Sequence, residues 1–220
     1  MNSKNYSLKK NKNGSTYSLK IHGEYNDVLY SVLVELLPNS FYDEESKSVF
    51  FVAEHVQKLS SFLLESQMKI SVKSCINMID TLSHEIILLK KIEYGFYGLD
   101  LDDMLVIDNN IFINCSCNYL LPLVEDHLFF YGPFDIPFFG NPEINEVKNL
   151  PYVIPFESFY YSLGVLVVFC LFNNYLLVGN EIKSEEEICE ILSPLYNTKL
   201  YGFLKRCFNG KSEKRTLLLI

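Results

Sequence analysis

The stretch from Ser158 to Phe172, SFYYSLGVLVVFCLF, decides how this chain folds. From Leu163 onward it is the longest apolar run in the sequence, and Asn173-Asn174 ends it. A membrane span needs about 20 such residues, so the run is too short to cross a bilayer. A helix that is apolar on every side belongs inside a protein. The run therefore predicts a helix buried on all sides.

Working outward from it, the C-terminal flank reads as short helices. Ser184 to Leu192 opens with a serine followed by Glu185-Glu186-Glu187, a capped start with acids facing the helix dipole. Thr198 to Phe208 and Glu213 to Ile220 complete that side. On the N-terminal flank, Ser71 to Lys91 is the first long helix. Ile76, Ile79, Leu82 and Ile86 recur every three or four residues, and Ser71 is placed to cap it. Met104–Ile107 and Ile111–Asn114 form a hairpin around Asp108-Asn109-Asn110. The stretch from Cys117 to Asn149 is rich in Pro, Gly and Phe and has too little periodicity for regular structure.

The first quarter reads differently. Strands Tyr6–Lys9 and Tyr17–Ile21 flank an Asn-Lys-Asn-Gly turn at 11–14. Val28 to Leu37 is a helix stopped by Pro38-Asn39, and Asp43–Ser48 is a polar loop. Ser48 to Glu54 is a strand whose unbroken apolar run predicts that both faces are covered. Lys58 to Glu65 is a short helix. Strands first and helices after make an α+β class, a small strand-rich part over 1–56 and a larger, mainly helical part over 57–220. No Gly/Ser linker separates them near Glu54–Lys58, so they form one bilobal domain with a short hinge.

Composition excludes several classes. Of 220 residues 49% are hydrophobic and 21% charged, which is a globular balance and not that of a disordered tail or a collagen-like repeat. The net charge is −8, yet residues 1–20 hold five Lys and no acid, so the rest is more acidic still. Such a body is a poor nucleic-acid binder. The six Cys have no zinc-ribbon spacing, and His22, His55, His84 and His127 offer no paired ligand spacing. Buried, reduced thiols and no metal are expected. The Lys- and Asn-rich start has no apolar leader, so a soluble, cytoplasmic protein without a membrane span is expected.

In this order of elements the chain resembles the eukaryotic-type protein kinase domain family. Tyr17-Ser-Leu-Lys20-Ile looks like the third strand of its small lobe, where a Lys holds nucleotide phosphates. Val49-Phe-Phe-Val-Ala-Glu54-His-Val56 looks like the fifth strand running into the hinge, with Ala53 in the gatekeeper place. Asn141-Pro142-Glu143 resembles the Ala-Pro-Glu that closes an activation segment, with Asn first. Tyr161-Ser162-Leu163-Gly164-Val165 resembles the Trp-Ser-Leu-Gly-Val that opens the buried helix. Leu204–Phe208 and Ser212–Thr216 resemble the last two helices. The resemblance implies a structural ion pair between Glu143 and Arg215, and a vestigial nucleotide site at Lys20, Glu54 and Val56.

The chemistry that the family needs is missing. Tyr97-Gly-Leu99-Asp100-Leu101-Asp102-Asp103-Met104 aligns with the family's His-Arg-Asp-Leu-Lys-Pro-Glu-Asn. Leu99 falls at the base-like Asp and Met104 at a metal-binding Asn. Leu cannot accept a proton, and a thioether does not hold a hard cation that demands oxygen. Cys115 stands where the second metal-binding Asp is expected, and residues 109–124 contain no carboxylate. Gly14 is the only glycine between Tyr6 and Lys20, so the Gly-rich loop is absent too. The expected reading is a pseudokinase without ATP or magnesium, acting as a protein-binding or regulatory module. One alternative is a divergent active kinase with displaced acids at Asp100, Asp102 or Asp103, which would use ATP and magnesium. Another is an unrelated α+β interaction protein. The aromatic segment Phe129–Phe139 either packs against the reduced site or forms a partner patch.

Overall fold

The computed structural model describes residues 4–11, 14–178 and 181–217. The architecture is mixed α+β with several antiparallel sheets. The N-terminal unit is a four-stranded sheet, β1 (Tyr6–Lys10), β2 (Thr16–Ile21), β3 (Phe41–Asp43) and β4 (Ser48–Val52), with α1 (Asn26–Leu36) inserted between β2 and β3. Its spatial order is β1-β2-β4-β3, all antiparallel. Tyr17, Leu19 and Ile21 alternate inward along β2 and are buried. Helix α1 packs on this sheet through Leu29, Val32 and Leu33. The Tyr30 hydroxyl accepts from Ile21 N at 3.0 Å and lies 2.9 Å from the Lys47 carbonyl. That hydroxyl therefore ties helix to sheet.

The expectation that both faces of Ser48–Glu54 are covered is corrected. Val49 and Phe51 are buried, but Val52 is exposed, and Phe50 stacks on the exposed Phe41. An antiparallel sheet can leave one face in water, and here the apolar run spans both faces. Phe41–Asp43 is a strand that the sequence reading leaves out. Three residues are too few to show an alternation. Residues 12 and 13 of the turn at 11–14 lie outside the described residues.

The larger unit begins with β5 (Val56–Lys58), which pairs with β7 (Met104–Ile107) and not with the N-terminal sheet. Next come α2 (Leu59–Glu65), α3 (Val72–Lys91) and β6 (Tyr94–Phe96). Ser71 caps α3 by accepting from Ser74 N at 3.0 Å. β7 and β8 (Ile111–Asn114) form the hairpin, and Asp108 and Asn109 take the positive φ values its turn requires. The stretch Cys117–Asn149 is not irregular throughout, which is a second correction. It holds β9 (Leu120–Val124), β10 (His127–Phe130) and α4 (Pro142–Asn145). With β11 (Tyr152–Pro155) and β6 these strands make a second four-stranded sheet, β11-β10-β9-β6. The strands are short, and Pro122 sits at a strand pairing that a sequence pattern would exclude.

The Ser158–Phe172 run is α5, buried from Phe159 to Leu171 except at Tyr160. Helix α3 packs against it, as does α7 (Lys199–Cys207). The α5–α7 approach requires Gly164. A Cβ there would lie 2.8 Å from the Phe208 ring and 2.9 Å from Cys207 Cβ. Leu177–Val178 (β12) and Glu181–Ile182 (β13) form a small ladder, and α6 (Glu185–Leu192) starts with a full capping box of Ser184 and Glu187. A helix over Glu213–Ile220 is corrected to one 3-10 turn at Ser212–Lys214, with residues 218–220 outside the described residues. Among the described residues no helix is long and apolar enough to cross a membrane.

Candidate functional site

The segment Tyr97–Met104 leads from β6 into β7 and carries Leu99 and Met104. Two backbone hydrogen bonds hold its middle. Leu99 N donates to the Phe139 carbonyl at 3.1 Å, and Phe139 N donates to the Leu99 carbonyl at 2.9 Å. Leu99, Met104 and Cys115 are all completely buried. They are core side chains, with no oxygen to move a proton or bind a cation. Burial as the main cause, with the nearby acids Glu85 and Asp103 adding to it, pushes the Cys115 thiol well above its usual range.

The three acids of this segment point to different partners. Asp103 is buried, and Asn5 Nδ2 donates to both of its carboxylate oxygens at 2.7 and 2.8 Å. Asp102 is exposed and accepts from Ser60 Oγ at 3.0 Å, with Lys58 Nζ at 3.8 Å. Asp100 faces the Tyr119 hydroxyl at 3.4 Å. Its carboxyl is raised by burial first and by the Asp103 charge second. No cluster of three His, Cys, Asp or Glu among the described residues converges to hold a metal.

Asn5 and Tyr6 link the N-terminal sheet to the larger unit. Asn118 Nδ2 donates to Asn5 Oδ1 at 3.1 Å, so Asn5 bridges Asp103 and the Cys115–Asn118 segment. Tyr6 is fully buried beside them. Burial, with Cys115 and Asp103 nearby, holds its hydroxyl far above the tyrosine range. Gly23 completes the contact. Its φ is +137°, and a Cβ there would stand 2.7 Å from Cys117 Cβ.

The residues placed at a nucleotide site do not converge. Lys20 is exposed on the opposite face of β2 from the buried Leu19 and Ile21. Glu54 lies beyond the far end of that strand, where Thr16 pairs with Val52. The Glu54 carbonyl has the Lys10 ammonium at 3.4 Å and the Tyr17 hydroxyl at 3.5 Å. Asp108 Oδ1 accepts from both Glu54 N and His55 N, at 2.9 and 2.8 Å. Val56 pairs with Ile107 in β5. The backbone at 54–56 is thus strapped to the β7–β8 hairpin.

Glu143 and Arg215 are brought together. Arg215 Nη2 lies 2.9 Å from Glu143 Oε1, and Nη1 donates to Oε2 at 3.0 Å. Arg215 Nε donates to the Asn209 carbonyl, and the guanidinium lies over the Tyr161 ring at 5.1 Å. Asn141 caps α4 and donates to the Tyr97 carbonyl and to Ser162 Oγ, so one buried amide joins three segments. Asn141 before Pro142 is a helix-start signal that sequence reasoning could have used. Asn5 had no such signal, because its partner lies 98 residues away. The aromatic segment is split: Phe130 and Phe139 are buried, whereas Tyr131, Ile136 and Phe138 are exposed. Compared with known protein families and with characterised proteins, the sequence matches none.

Proposed function

We propose that the chain is a protein-kinase-like bilobal domain that does not transfer phosphate and serves as a protein-binding module. One observation carries the reading. The positions that would need a base and two metal ligands are the fully buried Leu99, Met104 and Cys115, and the nearby Asp103 is held by Asn5. The donor set does not fit magnesium, which wants oxygen ligands in octahedral array. The fold supports the family assignment. A helix lies between the second and third strands of the small sheet, β6 just before the 97–104 segment pairs with β9, and an apolar helix forms the centre of the larger unit. The Glu143–Arg215 pair adds to this. Six unpaired thiols, five of them buried, suit a reducing compartment such as the cytoplasm.

The test is phosphate release from ATP with magnesium, by wild type and by Asp100→Asn. Equal silence of both is expected. Turnover by wild type that Asp100→Asn abolishes would replace this reading with an active enzyme using a displaced carboxylate.

A further inference from the structure

A cavity of about 570 Å³ opens between the start of α1 and the loop after β10. Its lining includes the aromatic residues Tyr25, Phe129, Tyr131 and Phe134, together with the acidic residues Glu24 and Asp135. Among the described residues no Lys, Arg or His lines it. Neither carboxylate takes part in an ion pair or a side-chain hydrogen bond among the described residues. Tyr131 is 75% exposed and stacks on Phe129 with ring centroids 5.7 Å apart. Aromatic faces attract cations through their quadrupole, and a carboxylate at the rim adds direct attraction. A planar guanidinium also stacks on such rings, which an ammonium does not.

We infer that this cavity receives an arginine side chain of a basic partner peptide. The inference rests on the reading of the chain as a protein-binding module, and it names the site and the chemistry of the partner. The charge is complementary: the chain carries −8 overall, and two of its acids, Glu24 and Asp135, are among the described lining residues of the cavity, which include no base; Lys4 and Lys58 line a separate opening that Asp135 also borders. The volume exceeds one side chain, so flanking peptide enters with it.

The experiment is isothermal titration calorimetry of the full chain at low salt with a blocked peptide of alternating arginine and serine. Its counterpart has citrulline in place of arginine, which keeps the shape and removes the charge. The arginine peptide should bind about tenfold or more tightly than the citrulline one. The double variant Glu24→Gln/Asp135→Asn, and separately Tyr131→Ala, should each weaken it by about tenfold. Glu186→Gln, on α6 and outside the cavity lining, should leave it unchanged. All four positions are exposed, and a thermal melt checks that each variant folds. Absence of binding, equal binding of both peptides, or undiminished binding by the double variant overturns the inference. Nucleotide turnover alongside retained peptide binding would instead sink only the inactive-kinase reading.

Discussion

Arg215 heads the fully buried side chains by size, and among the described residues its charge is met by the Glu143 carboxylate alone. Removing one member of such a pair leaves the other charge buried without compensation, which costs about 3–5 kcal/mol. Glu143→Gln should lower the unfolding free energy by about that much in urea. A loss below about 1 kcal/mol would make the pair a surface-type contact. Glu85 gives a pH test. It is completely buried in α3, where Oε2 accepts from Asn114 N at 3.0 Å, and burial raises its carboxyl from 4.5 to about 8. Below pH 4.5 the carboxyl is protonated in both folded and unfolded chains. Between pH 4.5 and 8 only the unfolded chain ionises, so stability falls as pH rises. The fall is on the order of 5 kcal/mol and levels off once both states are ionised. Glu85→Gln removes this slope, so its melting temperature should exceed that of wild type increasingly from pH 5 to 8. Parallel curves would refute the assignment. Motif order made Glu143 and Arg215 legible in the sequence. Glu85 looked like an ordinary helical acid, because its burial depends on β8 packing against it.

At the scale of elements, the long or strongly patterned pieces were readable and the short ones were not. α3, α5 and the hairpin at 104–114 follow from periodicity, caps and a turn that tolerates positive φ. β3, β6, β9, β10 and β11 are three to five residues each, and pairing partners rather than local pattern make them strands. The seam between α5 and α7 rests on the missing side chain of Gly164. Gly164→Val would push Cys207 and Phe208 outward and should cost about 1–3 kcal/mol as overpacking. Denaturant unfolding checks this, and a neutral result would mean that the two helices separate freely.

For the whole molecule, the mixed α+β class was legible from the order of elements, whereas the sheets within the larger part were not. The link between the N-terminal sheet and the larger unit was not legible either, since it is made by Asn5 and Tyr6 acting on residues about a hundred positions downstream. Asn5→Ala should leave the buried Asp103 carboxylate without those two bonds and cost about 1–3 kcal/mol. Hydrogen exchange in β1 should quicken with it. An unchanged exchange pattern would show that the N-terminal strand is held elsewhere.

The central claim is that this interior is closed to nucleotide and lacks its metal ligands. It is tested most directly by thermal unfolding of the full chain with and without ATP and magnesium. A ligand that binds only the folded state raises its stability by mass action. The account predicts a melting temperature unchanged within about 1 °C at millimolar nucleotide. A magnesium-dependent rise of several degrees would contradict it.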